Sequence, residues 1–338
     1  MSTNPPTNVK FSVLDLAAVA DGSTPADTFR NSLSLARHVE QLGYTRYWVS
    51  EHHNMAGVAS SSPPVLIGYL AGGTNTLRVG SGGIMLPNHA PLIVAEQMGT
   101  LATLYPGRID LGLGRAPGTD PVASRAIRGA AAFTAPDFPG DIEQLQTYFS
   151  AENRHGQVRA IPGEGLDVPI YILGSSTESA YLAGVMGLPY AFASHFAPTQ
   201  FMAAVKRYRD NFRPSDVLQE PYVIACINVI AADSDEEAKY LGTTLEQMML
   251  GVVSGRRKLM QPPVDSMDKL WSPAERQHVE HMLSLSFISG RDRLESDLQH
   301  FLAQTGVNEL MASTHLYDHA ARLRSYELFA DVMQGVAA

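Results

Sequence analysis

Cysteine is almost missing from this sequence. Cys226 is the only one in 338 residues, so no internal disulfide can form, and the count fits a reducing compartment. It falls inside the apolar run 222–230, where a free thiol behaves as a small buried hydrophobe rather than a nucleophile. Basic runs are also missing, and the formal charge is −9. Nucleic acid and anionic membrane surfaces are therefore excluded as partners, since both require clustered Lys or Arg. No stretch reaches the ~18 consecutive apolar residues of a membrane helix, and the polar start 1–8 lacks the apolar core of a signal peptide. A cytoplasmic protein that handles small molecules is expected. Charged residues make up only 17% against 45% hydrophobic, a balance that supports a packed core and argues against long disorder.

What is present is an alternation. Short apolar runs at 11–16, 46–51, 77–82, 108–113, 169–173, 190–194, 222–231 and 309–314 read as strands, and segments of helical period separate them. Eight strand–helix cycles, with no glycine-rich fingerprint after the first strand, predict the α/β fold class and a (β/α)8 TIM barrel rather than an open doubly wound sheet. The helices have local causes. Thr24 caps and Pro25 opens the first, Phe29, Leu33, Ala36, Val39 and Leu42 form its inner face, and Gly43 stops it. Two prolines open a second over 62–74, and Pro91 opens a third that runs to Tyr105. Such a barrel needs ~250 residues, leaving about 90 for insertions. These are assigned to 115–167 after strand 4, with a short acidic helix at 141–149, and to 251–289 after strand 7, either a lid or an inert excursion. The whole of 1–338 is expected to form one domain.

Three segments carry chemistry. Glu51-His52-His53 ends the second strand, at the barrel face where active sites collect. Alternation sets Glu51 and His53 on one side and His52 on the other, which disfavours a compact metal site; no metal is expected. A histidine facing the cavity can exchange protons near neutral pH. Gly80-Ser81-Gly82-Gly83-Ile84-Met85 places three glycines at the end of the third strand, marking a bulge or the close approach of a flat ligand, with Ile84 and Met85 positioned to pack on a ring. Gly174, Ser175, Ser176 and Thr177 join the fifth strand to its helix, a start that caps itself or binds phosphate, and Arg115 after the fourth strand would complete a phosphate site.

These residues resemble the bacterial luciferase-like family of flavin-dependent oxidoreductases. The resemblance is carried by 47–53, by 78–91 and by 106–115 in series, and it extends over nearly the whole chain. It implies a barrel that binds FMN, with the reduced form delivered by a separate NAD(P)H:flavin reductase. Arg115 and Gly174 to Thr177 would hold the phosphate, and Gly82-Gly83, a frequent position of a non-prolyl cis peptide in the family, would lie under the ring with Ile84. It implies a catalytic role for His52, while His53 and His195 are assigned to the substrate pocket. A homodimer through the second and third helices is expected, using Val65, Leu66, Tyr69 and Leu70. Gly114 stands where luciferase has a reactive cysteine, so light emission from a long-chain aldehyde is not expected. The leading expectation is a monooxygenase that uses reduced FMN and O2 on a small organic substrate. The alternatives are hydride transfer with a deazaflavin, or flavin binding without turnover.

Overall fold

The computed structural model describes residues 9–129, 132 and 135–336. Nine strands appear among them: β1 Lys10–Asp15, β2 Arg46–Val49, β3 Arg78–Met85, β4 Ile109–Gly114, β5 Ile170–Gly174, β6 Tyr190–Phe192, β7 Val223–Ala232, β8 Ser286–Gly290 and β9 Glu309–Ser313. All pair in parallel. β1 to β7 follow one another around the wall, and β9 closes it by pairing with both β7 and β1. The eight strands expected from the apolar runs thus form the closed (β/α)8 barrel.

The strand after α9 (Pro273–Met282) was not foreseen. β7 is ten residues long, pairing with β9 over Ile224 to Asn228 and with β8 over Asn228 to Ala232. Segment 251–289 contains α9 and most of β8. Segment 115–167 likewise contains α4 (Pro121–Arg128) and α5 (Phe138–Phe149). α5 buries Phe138, Ile142, Leu145 and Phe149 and packs against α3 (Pro91–Leu104), which makes it the wall helix between β4 and β5.

Local chemistry explains the helix ends. In α1 (Pro25–Gln41), the Asp27 N–H donates to Thr24 Oγ1 and the Thr24 N–H donates to an Asp27 carboxylate oxygen, a reciprocal cap. Gly43 then turns the chain at φ +79°, where a side chain would be strained. In α2 (Pro63–Gly72), Leu66 and Leu70 lie in the monomer core, which corrects their expected place on a dimer surface; Val65 and Tyr69 are exposed.

The barrel interior is layered. At its amino end, Arg46 donates to Glu309 (3.0 Å), to Asp110 (2.8 Å) and to the Tyr171 hydroxyl (2.5 Å), and all four are buried. Arg78 adds a second cation to Asp110, and Ser12 and Tyr222 donate to Glu309. Above this layer lie Leu14, Trp48, Tyr171, Ile224, Cys226 and Met311. Trp48 and Tyr171 meet edge to face at 4.9 Å between ring centroids. Interior side chains and neighbouring strand backbone together leave room only for glycine at three positions. A Cβ on Gly80 would lie 2.9 Å from Trp48 Nε1, one on Gly82 would lie 2.7 Å from Leu14 Cδ1, and one on Gly112 would lie 2.1 Å from the Ser81 oxygen.

Candidate active site

The carboxyl ends of the strands gather the side chains that composition alone could not place. β2 ends at Val49, and the chain runs on through Glu51, which is fully buried. Its carboxylate receives the Met85 N–H (3.0 Å), the Asn88 side-chain amide (3.3 Å), His53 Nε2 (2.8 Å) and His89 Nε2 (2.9 Å). Burial pushes the Glu51 carboxyl up, but the bonds and charge of His89 and His53 together with the Met85 amide outweigh it, and the group stays below its ordinary value. An ionised carboxylate only accepts, so both rings donate from Nε2. Glu51 is thus a clamp that ties the loop after β2 to the loop after β3. Among the described residues no cluster of His, Cys, Asp and Glu could hold a metal ion.

His52 points the other way, as strand alternation requires. Its N–H donates to the Ser60 oxygen (3.0 Å), and its Nδ1 lies 3.3 Å from the Gly118 oxygen. A carbonyl can only accept, so Nδ1 bears the proton and Nε2 is left with a lone pair. Burial lowers the pKa of this ring, and Arg257 and His53 add to that against the opposing effects of Gly118 and Glu51. The neutral base is therefore the resting form. His53, half-buried, has its Nε2 committed to Glu51.

His195 is deeper in the mouth. Burial pushes it down to about 3, with help from His315 and His52. Its Nδ1 has no hydrogen-bond partner among the described residues. Its backbone oxygen accepts from the Asn228 amide (2.6 Å), at the point where β7 passes from β9 to β8. Asn228 pairs in register with Ser313, whose hydroxyl lies 3.0 Å from His315 Nε2. His315 is buried and pushed down to about 4, by burial first and then by Arg322, against Asp15. Sequence reasoning passed over both Asn228 and His315. The one available signal was a polar residue within the apolar run of β7, and a histidine two residues past the end of β9.

The glycine segment is rearranged relative to expectation. β3 does not end at Gly82 but runs to Met85, with its register against β4 slipping between Ser81 and Ile84. The Gly82–Gly83 peptide bond is cis. Protein atoms occupy the space a Cβ on either glycine would need, Leu14 and Trp48 at Gly82 and the Gly112 oxygen at Gly83. Interior packing therefore accounts for these glycines without any ligand. Ile84 is 1% exposed and lies in the core beneath the helices, not at the mouth, which corrects its expected contact with a ring.

The two halves of the expected phosphate site do come together. β4 and β5 pair with Leu113 opposite Ile172 and Gly114 opposite Leu173, so Arg115 leaves the wall beside Gly174. Arg115 is exposed. Ser176 caps α6 (Thr177–Val185) by accepting from the Ser179 N–H, and the Thr177 N–H donates to Gln200 (3.2 Å). Ser175 is exposed, and the amides of Ser175 and Ser176 have no acceptor among the described residues. Gly174 leaves no room for a side chain, since a Cβ would lie 1.9 Å from Ser179 Oγ.

The model of the luciferase-like monooxygenases matches residues 9–332. The chain belongs to that family. An Escherichia coli (strain K12) luciferase-like monooxygenase is 48% identical over 96% of this chain and 97% of its own length. Among solved structures, apo-MsnO8 superposes with a TM-score of 0.86 at 32% identity, covering 97% of this chain and 99% of that one. The oxygenating constituent of 3,6-diketocamphane monooxygenase from Pseudomonas putida, solved in complex with FMN, superposes at 0.72 with 18% identity, covering 97% of this chain and 98% of its own; this shows a shared fold. No described helix is long and apolar enough to cross a membrane.

Proposed function

We propose that this chain is the oxygenating component of a two-component system, binding reduced FMN from a separate NAD(P)H:flavin reductase and oxidising a small organic substrate with O2. The observation that supports this reading is the β4–β5 register, which brings the chain leaving β4 at Arg115 alongside the turn at Ser175 and Ser176, whose amides have no acceptor among the described residues. Backbone donors at a helix start with an arginine fork alongside suit a phosphate monoester. When bound, FMN would supply the two electrons that O2 activation requires.

The chain's own residues do the rest. Arg115 and the turn from Gly174 to Thr177 hold the phosphate end. Trp48, Leu14 and the neighbouring interior side chains form a dry floor that keeps water from entering beneath the glycine segment. His52 takes up a proton at Nε2, the nitrogen that Gly118 leaves free. His195 and His53 border the substrate.

Arg115→Gln is expected to weaken FMN binding by about 10- to 100-fold, the worth of a hydrogen bond to a charged group. Riboflavin, which lacks the phosphate, should bind the variant as well as the wild type. Fluorescence titration with both ligands tests this, and an equal loss for the two would remove Arg115 from the phosphate site. Oxygen uptake in step with substrate separates the monooxygenase from deazaflavin hydride transfer and from flavin binding without turnover.

A homodimer fits the exposed apolar residues of α2 and α3, namely Val65, Tyr69, Ile93 and Leu104. Val65→Glu with Leu104→Glu should convert the mass seen by light scattering from dimer to monomer. A wild-type monomer would refute the assignment.

A further inference from the structure

Asn88 spends both of its donors and leaves its acceptor idle. It closes the single 3-10 turn Leu86–Asn88 that follows β3, a turn anchored by the fully buried Leu86 and by the His89 N–H on the Leu86 oxygen (2.9 Å). From there its side-chain nitrogen donates to Glu51 (3.3 Å) and to the Pro117 oxygen (2.8 Å). An ionised carboxylate and a carbonyl can only accept, so the NH2 end of the amide must face them. Its Oδ1 is then buried with no hydrogen-bond partner among the described residues. A buried acceptor without a partner costs stability, and an alanine here would not carry that cost. The two donors are therefore what the amide contributes.

Those donors act on the segment that leads from β4 to α4. Pro117 precedes Gly118, whose oxygen lies 3.3 Å from His52 Nδ1 and accepts from the His53 N–H (3.5 Å). Gly118 turns the chain at φ +63°, and a Cβ on it would lie 2.9 Å from the Glu51 oxygen and 2.8 Å from Met85 Cγ. A glycine does not fix its own peptide planes, so its neighbours must do so. On the far side of Gly118, Thr119 Oγ1 donates to the His53 oxygen (3.1 Å) and the Asn54 amide donates to Asp120 (2.9 Å). On the near side, the Asn88 bond holds the Pro117 carbonyl. Glu51 thus anchors the amide that anchors the strap facing His52.

Which imidazole nitrogen carries the proton is set by the bond that the other one makes. A side-chain imidazole free of partners prefers the Nε2–H form, which has no lone pair on Nε2 to offer. Holding the Gly118 oxygen against Nδ1 reverses that preference. Without Asn88 the carbonyl of Pro117, an exposed residue, would turn to water and the Gly118 plane would be free to follow.

We propose that Asn88 is a positioning residue for His52: held on Glu51, its amide fixes Pro117 and Gly118 so that the His52 proton stays on Nδ1 and Nε2 remains a proton acceptor. This rests on the reading of His52 as the proton-accepting group, although the tautomer itself can be observed without turnover.

The test is long-range proton–nitrogen correlation NMR on the full chain carrying isotope-labelled histidine. It is run at about pH 8, where a ring whose pKa lies below the ordinary 6.5 is neutral. The His52 signals are assigned by their loss in His52→Ala. Wild type should show a protonated Nδ1 and a bare Nε2. Asn88→Ala should move the tautomer ratio toward Nε2–H by about 2- to 10-fold, the worth of one hydrogen bond, with a urea midpoint close to that of wild type because the idle Oδ1 leaves with the donors. Asn88→Asp keeps the side-chain volume, which guards against a variant that does not fold, and sets a carboxylate against two acceptors; it should move the ratio at least as far. A wild-type His52 with its proton on Nε2 overturns the proposal. So does an unmoved ratio in either Asn88 variant, since a merely structural tie would lower the midpoint and leave the tautomer alone. A shifted ratio in Asn88→Ala beside undiminished catalysis by His52→Ala would refute the proton role of His52 and leave the positioning itself standing.

Discussion

Replacing His52 by alanine is expected to slow substrate oxidation by about 10²- to 10⁴-fold, the usual contribution of a positioned general acid or base, with FMN affinity unchanged. The geometry explains the split. His52 sits at the end of β2 with Nδ1 on the Gly118 oxygen, whereas the phosphate cradle is built from the ends of β4 and β5. The pH profile gives the sharper check. Burial is the largest influence on this ring's titration and acts downward; the Gly118 oxygen and Glu51 oppose it, and Arg257 and His53 add to it. A base must be neutral to work, so activity should rise with pH through a value below the ordinary 6.5 and then level off. Alanine should abolish that acidic limb. An intact limb in the variant would assign the proton to another group.

Arg46→Met should cost about 3–5 kcal/mol, the penalty for leaving a buried charge without its partner. Two buried carboxylates share this guanidinium. Asp110 would keep Arg78, but Glu309 would be left with only the hydroxyls of Ser12 and Tyr222. The urea midpoint should fall steeply, and Arg46→Met combined with Glu309→Gln should recover part of the loss, because the stranded charge is then gone. A midpoint unchanged in the single variant would show that Glu309 protonates at little cost. Flavin binding is the control, since these residues lie at the opposite end of the barrel from the candidate site.

Legibility tracked the range over which each signal acts. The eight wall strands were readable because each is a local apolar run, and α1 was readable because its reciprocal cap spans Thr24 to Asp27 within four residues. β8 was not, since Ser286–Gly290 is a short strand whose existence depends on the overhanging half of β7. Of the two causes the sequence leaves open for the glycines of β3, the bulge is present as the register shift between Ser81 and Ile84. The neighbours that crowd them, Leu14 and Trp48 at Gly82 and the Gly112 oxygen at Gly83, belong to other strands, and no window of sequence around Gly82 contains them. Ile84 was assigned to the mouth because the strand was taken to end at Gly82; the register slip carries it outward to the helices. In α2 a spacing of four joins Leu66 to Leu70 on the inner face and Val65 to Tyr69 on the outer one, so the four residues cannot share one surface. For the site, His52, Arg115 and the turn after β5 were visible as motifs. Asn228 was not, because its partners His195 and Ser286 lie 33 and 58 positions away along the chain, and His315 was not, because nothing in its own stretch marks it as buried.

Cys226 lies on the inner wall of the barrel, 5% exposed, with burial pushing its thiol up so that the thiolate is suppressed. Thiolates are the species that oxidants consume first. In a member of a monooxygenase family the single sulfhydryl is thus held in the protonated form. The sulfur on the loop after β2 is instead the thioether of Met55, whose oxidation to the sulfoxide cells can reverse.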